Sequence, residues 1–253
     1  MTYTKQTYEI KSSQKPHYFI GSKIRGTLGY ALREEVCINP TLKHKSTCEG
    51  CWNVNDCIFY KFYEQQNIIH NYRLDFKLNS QKYKFSILLF EDAIKYKEEI
   101  KKATLKSLNQ YKDIDYKEKT KTLKTKKHNS IIRLEFITPL RIKKNNTFAT
   151  KDIDLQDILV SIHKRDLGLK KEPFKPIEIN KDVKLISKNI RYQNIIRKSN
   201  KQNKKMNLGG LMGEIIISGV DKHTYNLLKL GEVIGVGKST VFGLGKIKIE
   251  DIK

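Results

Sequence analysis

Apolar and polar residues alternate over Tyr3–Ile10, the period of a strand with one buried face. His17–Ile20 is strand-like too, and Lys11-Ser12-Ser13-Gln14 between them carries turn chemistry. The period then changes. Ile24, Leu28, Leu32 and Val36 recur every fourth residue, predicting a helix with one apolar stripe and Ser22 as its N-cap. Gly26 and Gly29 fall inside it, each costing about 1 kcal/mol relative to alanine, so close packing against that backbone is expected. Tyr72–Leu78 and Tyr83–Phe90 predict a strand pair turning at Asn79-Ser80. Glu91 to Tyr111 reads as a charged helical segment. Tyr111–Asn129, rich in lysine and poor in apolar residues, is expected to be an exposed hairpin or a mobile basic loop.

The order of elements then repeats. Ile131–Ile142 reads as a strand, and Asp154 caps a helix whose Leu155, Ile158, Leu159 and Ile162 share a face. A basic stretch, Lys181–Asn207, leads to a strand over Glu214–Ser218, a short helix capped by Asp221 and a closing strand over Thr240–Ile249. Two rounds of β-α-β-β-α-β predict an α+β fold of tandem ferredoxin-like (RRM-like) domains. Their expected extents are residues 1–130 and 131–253, with a cysteine-rich loop, 37–57, inserted in the first.

Composition narrows the partner. Of 253 residues, 38% are hydrophobic, enough for real cores. Fifty Lys+Arg against 27 Asp+Glu leave a net charge of +23. An AT-biased codon usage accounts for part of the lysine excess, but such self-repulsion is best offset by a polyanion. Nucleic acid is therefore favoured over an acidic protein or a membrane surface. No window approaches the roughly 20 apolar residues of a spanning helix, and Met1–Ile10 does not resemble a signal peptide. A soluble, cytoplasmic protein is the expectation.

In that reducing compartment the four cysteines suggest metal ligands rather than disulfides. Cys37-x10-Cys48-x2-Cys51-x5-Cys57 contains the Cys-x2-Cys knuckle of tetrahedral sites. Zinc in a structural role leads, because four protein ligands leave no position for water. An iron–sulfur cluster suits four thiolates equally, and reduced free thiols are the plain alternative.

Gly235-Val236-Gly237-Lys238-Ser239-Thr240 invites comparison with the phosphate loop of NTPases. That loop requires a glycine where Glu232 stands, and its order is strand-loop-helix rather than helix-loop-strand. NTP binding is excluded on both counts. The functional alternative is a loop whose glycines, Gly235, Gly237, Gly243 and Gly245, let backbone N–H groups meet an RNA phosphate beside Lys238. The plain alternative is tight packing, which accounts readily for Gly243 and Gly245. Upstream, Arg191, Arg197, Lys198, Lys201, Lys204 and Lys205 form a basic run suited to phosphate contacts, and Arg25 on the first helix is a further candidate.

Several blocks together resemble a known family. They are Leu208-Gly209-Gly210-Leu211-Met212-Gly213-Glu214, Leu227–Glu232 and Gly235–Gly245. Upstream lie Ile137-Thr138-Pro139-Leu140-Arg141 and Ile20–Gly29, the latter followed by the four cysteines. In this order they are similar to CRISPR repeat-RNA-processing endoribonucleases of the RAMP superfamily (the Cas-six type), in a branch with an N-terminal four-cysteine block. The resemblance implies two ferredoxin-like domains, CRISPR repeat RNA as substrate, and metal-independent cleavage within repeats, with the ribose 2′-hydroxyl as nucleophile. A CRISPR effector complex is a further implied partner. A RAMP subunit that binds guide RNA without cutting shares the fold and needs no histidine. A zinc-containing ribosome- or tRNA-binding module explains the charge but not the ordered blocks.

Such cleavage needs a base, an acid and cationic charge on the phosphorane. Six histidines are available. His70 and His128 lie in polar connecting segments, His163 beside an apolar stripe and His223 in the first turn of the last helix. His17 and His44 remain. The resembled family commonly places its catalytic histidine in or just after the first helix, which favours His44, with Tyr30 and Lys45 as helpers.

Overall fold

The structure, a computed structural model, describes residues 1–11, 15–43, 47–124, 129–144, 146–180, 182–199 and 204–252. The chain divides into two compact units, Met1–Thr122 and Leu123–Lys253.

Unit 1 runs β1 (Thr2–Ile10), α1 (Gly21–Val36), β2 (Tyr72–Phe76), β3 (Tyr83–Phe90), α2 (Lys97–Ser107) and β4 (Ile114–Thr122). Its sheet is antiparallel in the order β2-β3-β1-β4, the ferredoxin-like arrangement. Alternation on β1 buries Thr4, Gln6, Tyr8 and Ile10 on one face. α1 and α2 pack together. Two expectations are corrected. The helix starts at Gly21 behind Ile20, with no side-chain cap, so Ser22 lies inside its first turn. Within the expected loop over Tyr111–Asn129, Ile114–Thr122 form β4, paired with β1 along its whole length. Its apolar signal is weak because Glu118 and Thr120 share its inward face with Ile114 and Tyr116. Gln6 donates to the Lys97 carbonyl (2.7 Å) and to Glu118 (3.0 Å), and Tyr116 donates to Glu118 (2.6 Å). The turn of helix at Tyr60–Glu64 went unread. Its Tyr63 ring occupies the space at Gly29, where a Cβ would lie 2.5 Å from the ring, so packing explains that glycine.

Unit 2 runs β5 (Ile132–Leu140), the short pair β6 (Lys143–Lys144) and β7 (Thr147–Phe148), then α3 (Leu155–Lys170) and β8 (Lys184–Gln193). A hairpin of β9 (Ile196–Ser199) and β10 (Lys204–Asn207) follows, then β11 (Gly210–Ser218), α4 (Lys222–Ile234) and β12 (Ile247–Asp251). The sheet order β12-β5-β11-β8 repeats the wiring of unit 1. β5 buries Ile132, Leu134 and Phe136, and β11 buries Leu211, Ile215 and Ile217. Asp154 and Asp221 are N-caps as expected, Asp221 accepting from the Thr224 amide at 2.9 Å. The basic stretch Lys181–Asn207 contains β8 and the β9–β10 hairpin. β8 is an edge strand with most side chains in solvent, so no apolar period marked it. The closing strand is shorter than expected, because Thr240–Phe242 is a single tight turn of helix.

Candidate functional site

In unit 2 the glycine-rich segment links α4 to β12 and is fastened along the end of β5. The amide of Val236 donates to Gly245 O (2.8 Å), Lys238 to Arg141 O (2.8 Å) and Gly245 to Pro139 O (3.0 Å). The Thr138 hydroxyl, fully buried, donates to Gly243 O (3.0 Å) and accepts from the Lys246 amide (2.9 Å). Thus the Ile137–Arg141 block and the glycine loop form one hydrogen-bonded piece.

The four candidate glycines do not offer their amides outward. Gly235 donates to Gly231 O (2.9 Å), Gly237 to Ser161 Oγ (2.8 Å), Gly243 to Thr240 O (2.9 Å) and Gly245 to Pro139 O. Their positive φ angles, +83°, +77°, +80° and +71°, show what glycine contributes, a path that L side chains rarely follow. Among the described residues, the amides without an acceptor at the tip are those of Ser239, Thr240 and Val241. Lys238 is exposed beside them. Glu232, which stands where a phosphate loop needs glycine, accepts from the Ile249 amide (2.6 Å) and from Lys229 (2.8 Å).

The structure brings Arg197 to this loop, its guanidinium 4.5 Å from the Phe242 ring centroid. Phe242 went unread because nothing local distinguishes it from a core aromatic. Lys205 is exposed on β10, opposite Lys198, and Lys204 pairs with Ser199. Lys201 lies outside the described residues. Arg141 is buried, donates to Gly209 O (2.6 Å) and packs 4.1 Å over the Phe148 ring. Burial lowers its pKa below the usual guanidinium value. Arg165 reaches across from α3 to the Ile234 carbonyl (2.6 Å), placing a cation at the C-terminal end of α4.

In unit 1, Tyr30 projects from α1 into solvent, 75% exposed. His44 and Lys45 lie outside the described residues, as does His128. Arg25 packs 4.7 Å over the Tyr63 ring, whose hydroxyl donates to the Arg25 carbonyl (3.0 Å). The helix thus holds Arg25 in an aromatic setting rather than free in solvent. His70 is half-buried with Nδ1 2.9 Å from Lys61 O, not merely solvated as its polar segment suggested. His17 is exposed and lines a recess with Lys15, Phe19, Lys23, Tyr83 and Tyr111. That group is scattered over nearly 100 positions, which hid it from sequence reading.

Of the four cysteines, Cys48 is buried. Its thiol pKa is raised first by that burial, with Arg33 opposing and Cys57 and Cys51 adding to it. Cys51 and Cys57 are thus near enough to Cys48 to influence it. The Cys37 thiol instead points to Asn39 O (3.7 Å), and among the described residues no group of three or more ligands is drawn up around one point. No helix among them is long and apolar enough to cross a membrane.

Residues 134–247 match the family of the CRISPR-associated endoribonuclease Cas6, and residues 2–110 match a family model described as an N-terminal domain. No curated protein matches the chain. Among solved structures, Cas6 of Thermus thermophilus shares 14% identity at a TM-score of 0.54, over 99% of this chain and 98% of that one. A Cas6 product complex gives 14% and 0.56, over 99% of each chain. A RAMP protein binding different RNA substrates gives 10% and 0.51, over 99% of this chain and all of the other. At such identities the likeness is one of fold, and it covers both units.

Proposed function

We propose that this chain, whose residues 134–247 form a domain of the Cas6 family, cleaves precursor CRISPR RNA within its repeats to release guide RNAs. The observation that carries the reading is that family match. It spans the β5 block and the glycine loop, which the hydrogen bonds of Pro139, Arg141 and Thr138 join into one element. The twice-repeated sheet order supports it.

In this reading no metal ion is needed at the scissile phosphate. His44 accepts the proton of the ribose 2′-hydroxyl, and the 2′-oxygen attacks the adjacent phosphorus. The bond to the 5′-oxygen breaks as that oxygen takes a proton from water, leaving a 2′,3′-cyclic phosphate and a free 5′-hydroxyl. Lys45 supplies positive charge to the phosphorane, and the exposed Tyr30 hydroxyl on α1 orients the phosphate. Lys238, Arg197 and Lys205, with the basic residues of the β9–β10 hairpin, hold the RNA backbone, while Arg25 shapes the α1 surface. Cys37, Cys48, Cys51 and Cys57 hold a structural zinc that fixes the loop carrying His44. The protein works in the cytoplasm, alone or feeding a CRISPR effector complex.

The test is single-turnover cleavage of end-labelled repeat RNA in EDTA. The parent protein cuts at one position, and His44→Ala is slower by about 100-fold or more while RNA affinity is retained. An unchanged rate in His44→Ala removes His44 from the mechanism. Tight binding without cleavage by the parent identifies a guide-RNA-binding subunit, and indifference to repeat RNA a different nucleic-acid module.

A further inference from the structure

Unit 1 carries a further basic surface, at the start of α1 and the segment before it. The chain leaves β1 at Ile10, and the segment Lys15–Ile20 crosses the β2–β3 turn, where the Asn79 amide donates to Tyr18 O (3.0 Å). It enters α1 at Gly21 with no side-chain cap and no acidic residue in the first turn. Between this segment and the base of β3 lies a shallow, open recess of about 80 Å³, lined by Lys15, His17, Phe19, Lys23, Tyr83 and Tyr111.

Two properties of the lining stand together. Its ionisable groups other than the tyrosines are two lysines and a histidine, with no carboxylate. Neither lysine has an ion-pair partner among the described residues, so both are open to an external anion. One wall is aromatic. The Tyr83 and Tyr111 rings are 5.8 Å apart at 47°. Tyr83 is nearly buried and braced edge-on by Phe85 at 6.3 Å, while Tyr111 is half-open. A fixed ring beside an accessible ring, rimmed by unpaired cations, matches a flat heterocycle carrying a phosphate.

We infer that this recess is a subsite for one nucleotide of single-stranded RNA, with the base against Tyr111 and the phosphate between Lys15, Lys23 and His17. The inference rests on the proposed RNA-processing function but concerns grip on the RNA, not the cleavage chemistry. Its place is a single-stranded part of the transcript, since a stacked base is free only there.

The test uses the whole chain with repeat RNA. The double variant Lys15→Ala/Lys23→Ala weakens affinity, and its plot of log affinity against log salt is shallower by about 0.7, the share of the one phosphate both lysines face. Tyr111→Ala weakens binding about tenfold, and Tyr111→Phe restores it, because stacking needs the ring and not the hydroxyl. The cleavage rate at saturating protein is unchanged in all three. Lys15 and Lys23 are exposed, so misfolding does not confound the variants. Unchanged affinity and salt slope in a parent that cleaves repeat RNA overturn the subsite and leave the function standing. Independently of cleavage, amide shifts of residues 15–23 on titration with 5′-AMP, a short oligonucleotide and inorganic phosphate separate the sources. AMP and oligonucleotide are expected to act, phosphate much more weakly. Equal response to phosphate, or none to any probe, overturns the proposal.

Discussion

Replacing Gly245 by alanine tests the reading of the glycine loop as a closed, self-bonded element. The backbone there has φ +71°, and an added Cβ would sit 1.9 Å from the Val236 carbonyl oxygen. The left-handed conformation costs a non-glycine residue about 1–2 kcal/mol. The clash forces apart the two segments joined by the Val236-to-Gly245 bond at 2.8 Å, and a buried group left unsatisfied costs about 1–3 kcal/mol. Together these give a loss of about 2–5 kcal/mol, a large share of a domain's stability. Gly26→Ala is the matched control. That helical glycine has nothing within 4 Å of its Cβ position, so alanine is expected to stabilise by about 0.5–1 kcal/mol. Urea denaturation followed by far-UV circular dichroism reads both. The sole tryptophan, Trp52, lies in unit 1, so its fluorescence does not report on the loop. Hydrogen exchange at the Val236 and Gly245 amides does, and both are expected to lose protection. A Gly245→Ala protein within 1 kcal/mol of the parent, with those amides still protected, would refute the account.

Other outcomes follow from the same geometry. Glu118 is held at about 2, first by the Tyr116 hydroxyl and then by Lys97 and Gln6 against the opposing effect of burial. Its depressed pKa contributes stability that is present above the unfolded value near 4.5 and lost as pH falls towards 2. The full shift corresponds to roughly 3 kcal/mol, and solvent screening at this partly open group leaves about 1–2 kcal/mol. Glu118→Gln therefore lowers unit 1 stability at pH 7 and flattens the decline between pH 4.5 and 2, measured by urea midpoints across that range. The purified protein is expected to carry about one equivalent of zinc by elemental analysis. Serine at Cys48 and Cys51 removes the metal and lowers the unfolding midpoint read by Trp52, whereas visible absorbance with bound iron would identify a cluster instead. Lys238→Ala is expected to weaken RNA binding severalfold and to flatten its salt dependence by about 0.7, with stability unchanged because that side chain is exposed.

The elements with a clean apolar period were legible in the sequence: β1, α1, β3, β5, α3 and α4 lie close to where alternation or a four-residue stripe put them. β4 and β8 were not, for opposite reasons. The inward face of β4 carries a polar network around Glu118, and β8 is an edge strand with little to bury. Hydrophobic pattern reports burial of apolar surface, and neither strand is built on that. The glycine segment was found, but the destination of its amides was not. That depends on Ser161 and Pro139, residues far off in sequence whose nearness only the fold creates. The aromatic recess at His17 escaped for the same reason, its members coming from β1's exit, β3 and the start of β4.

A loop whose glycine amides are already bonded within its own unit meets RNA with its shape decided. Fixing a residue's backbone costs about 1–2 kcal/mol of conformational entropy, so ordering even a few loop residues on contact would consume much of the affinity that charge supplies. Here that ordering is completed when unit 2 folds. On the proposed function, RNA would meet from Gly235 to Gly245 a surface of fixed curvature, able to favour one backbone shape over another without spending binding energy on its own organisation.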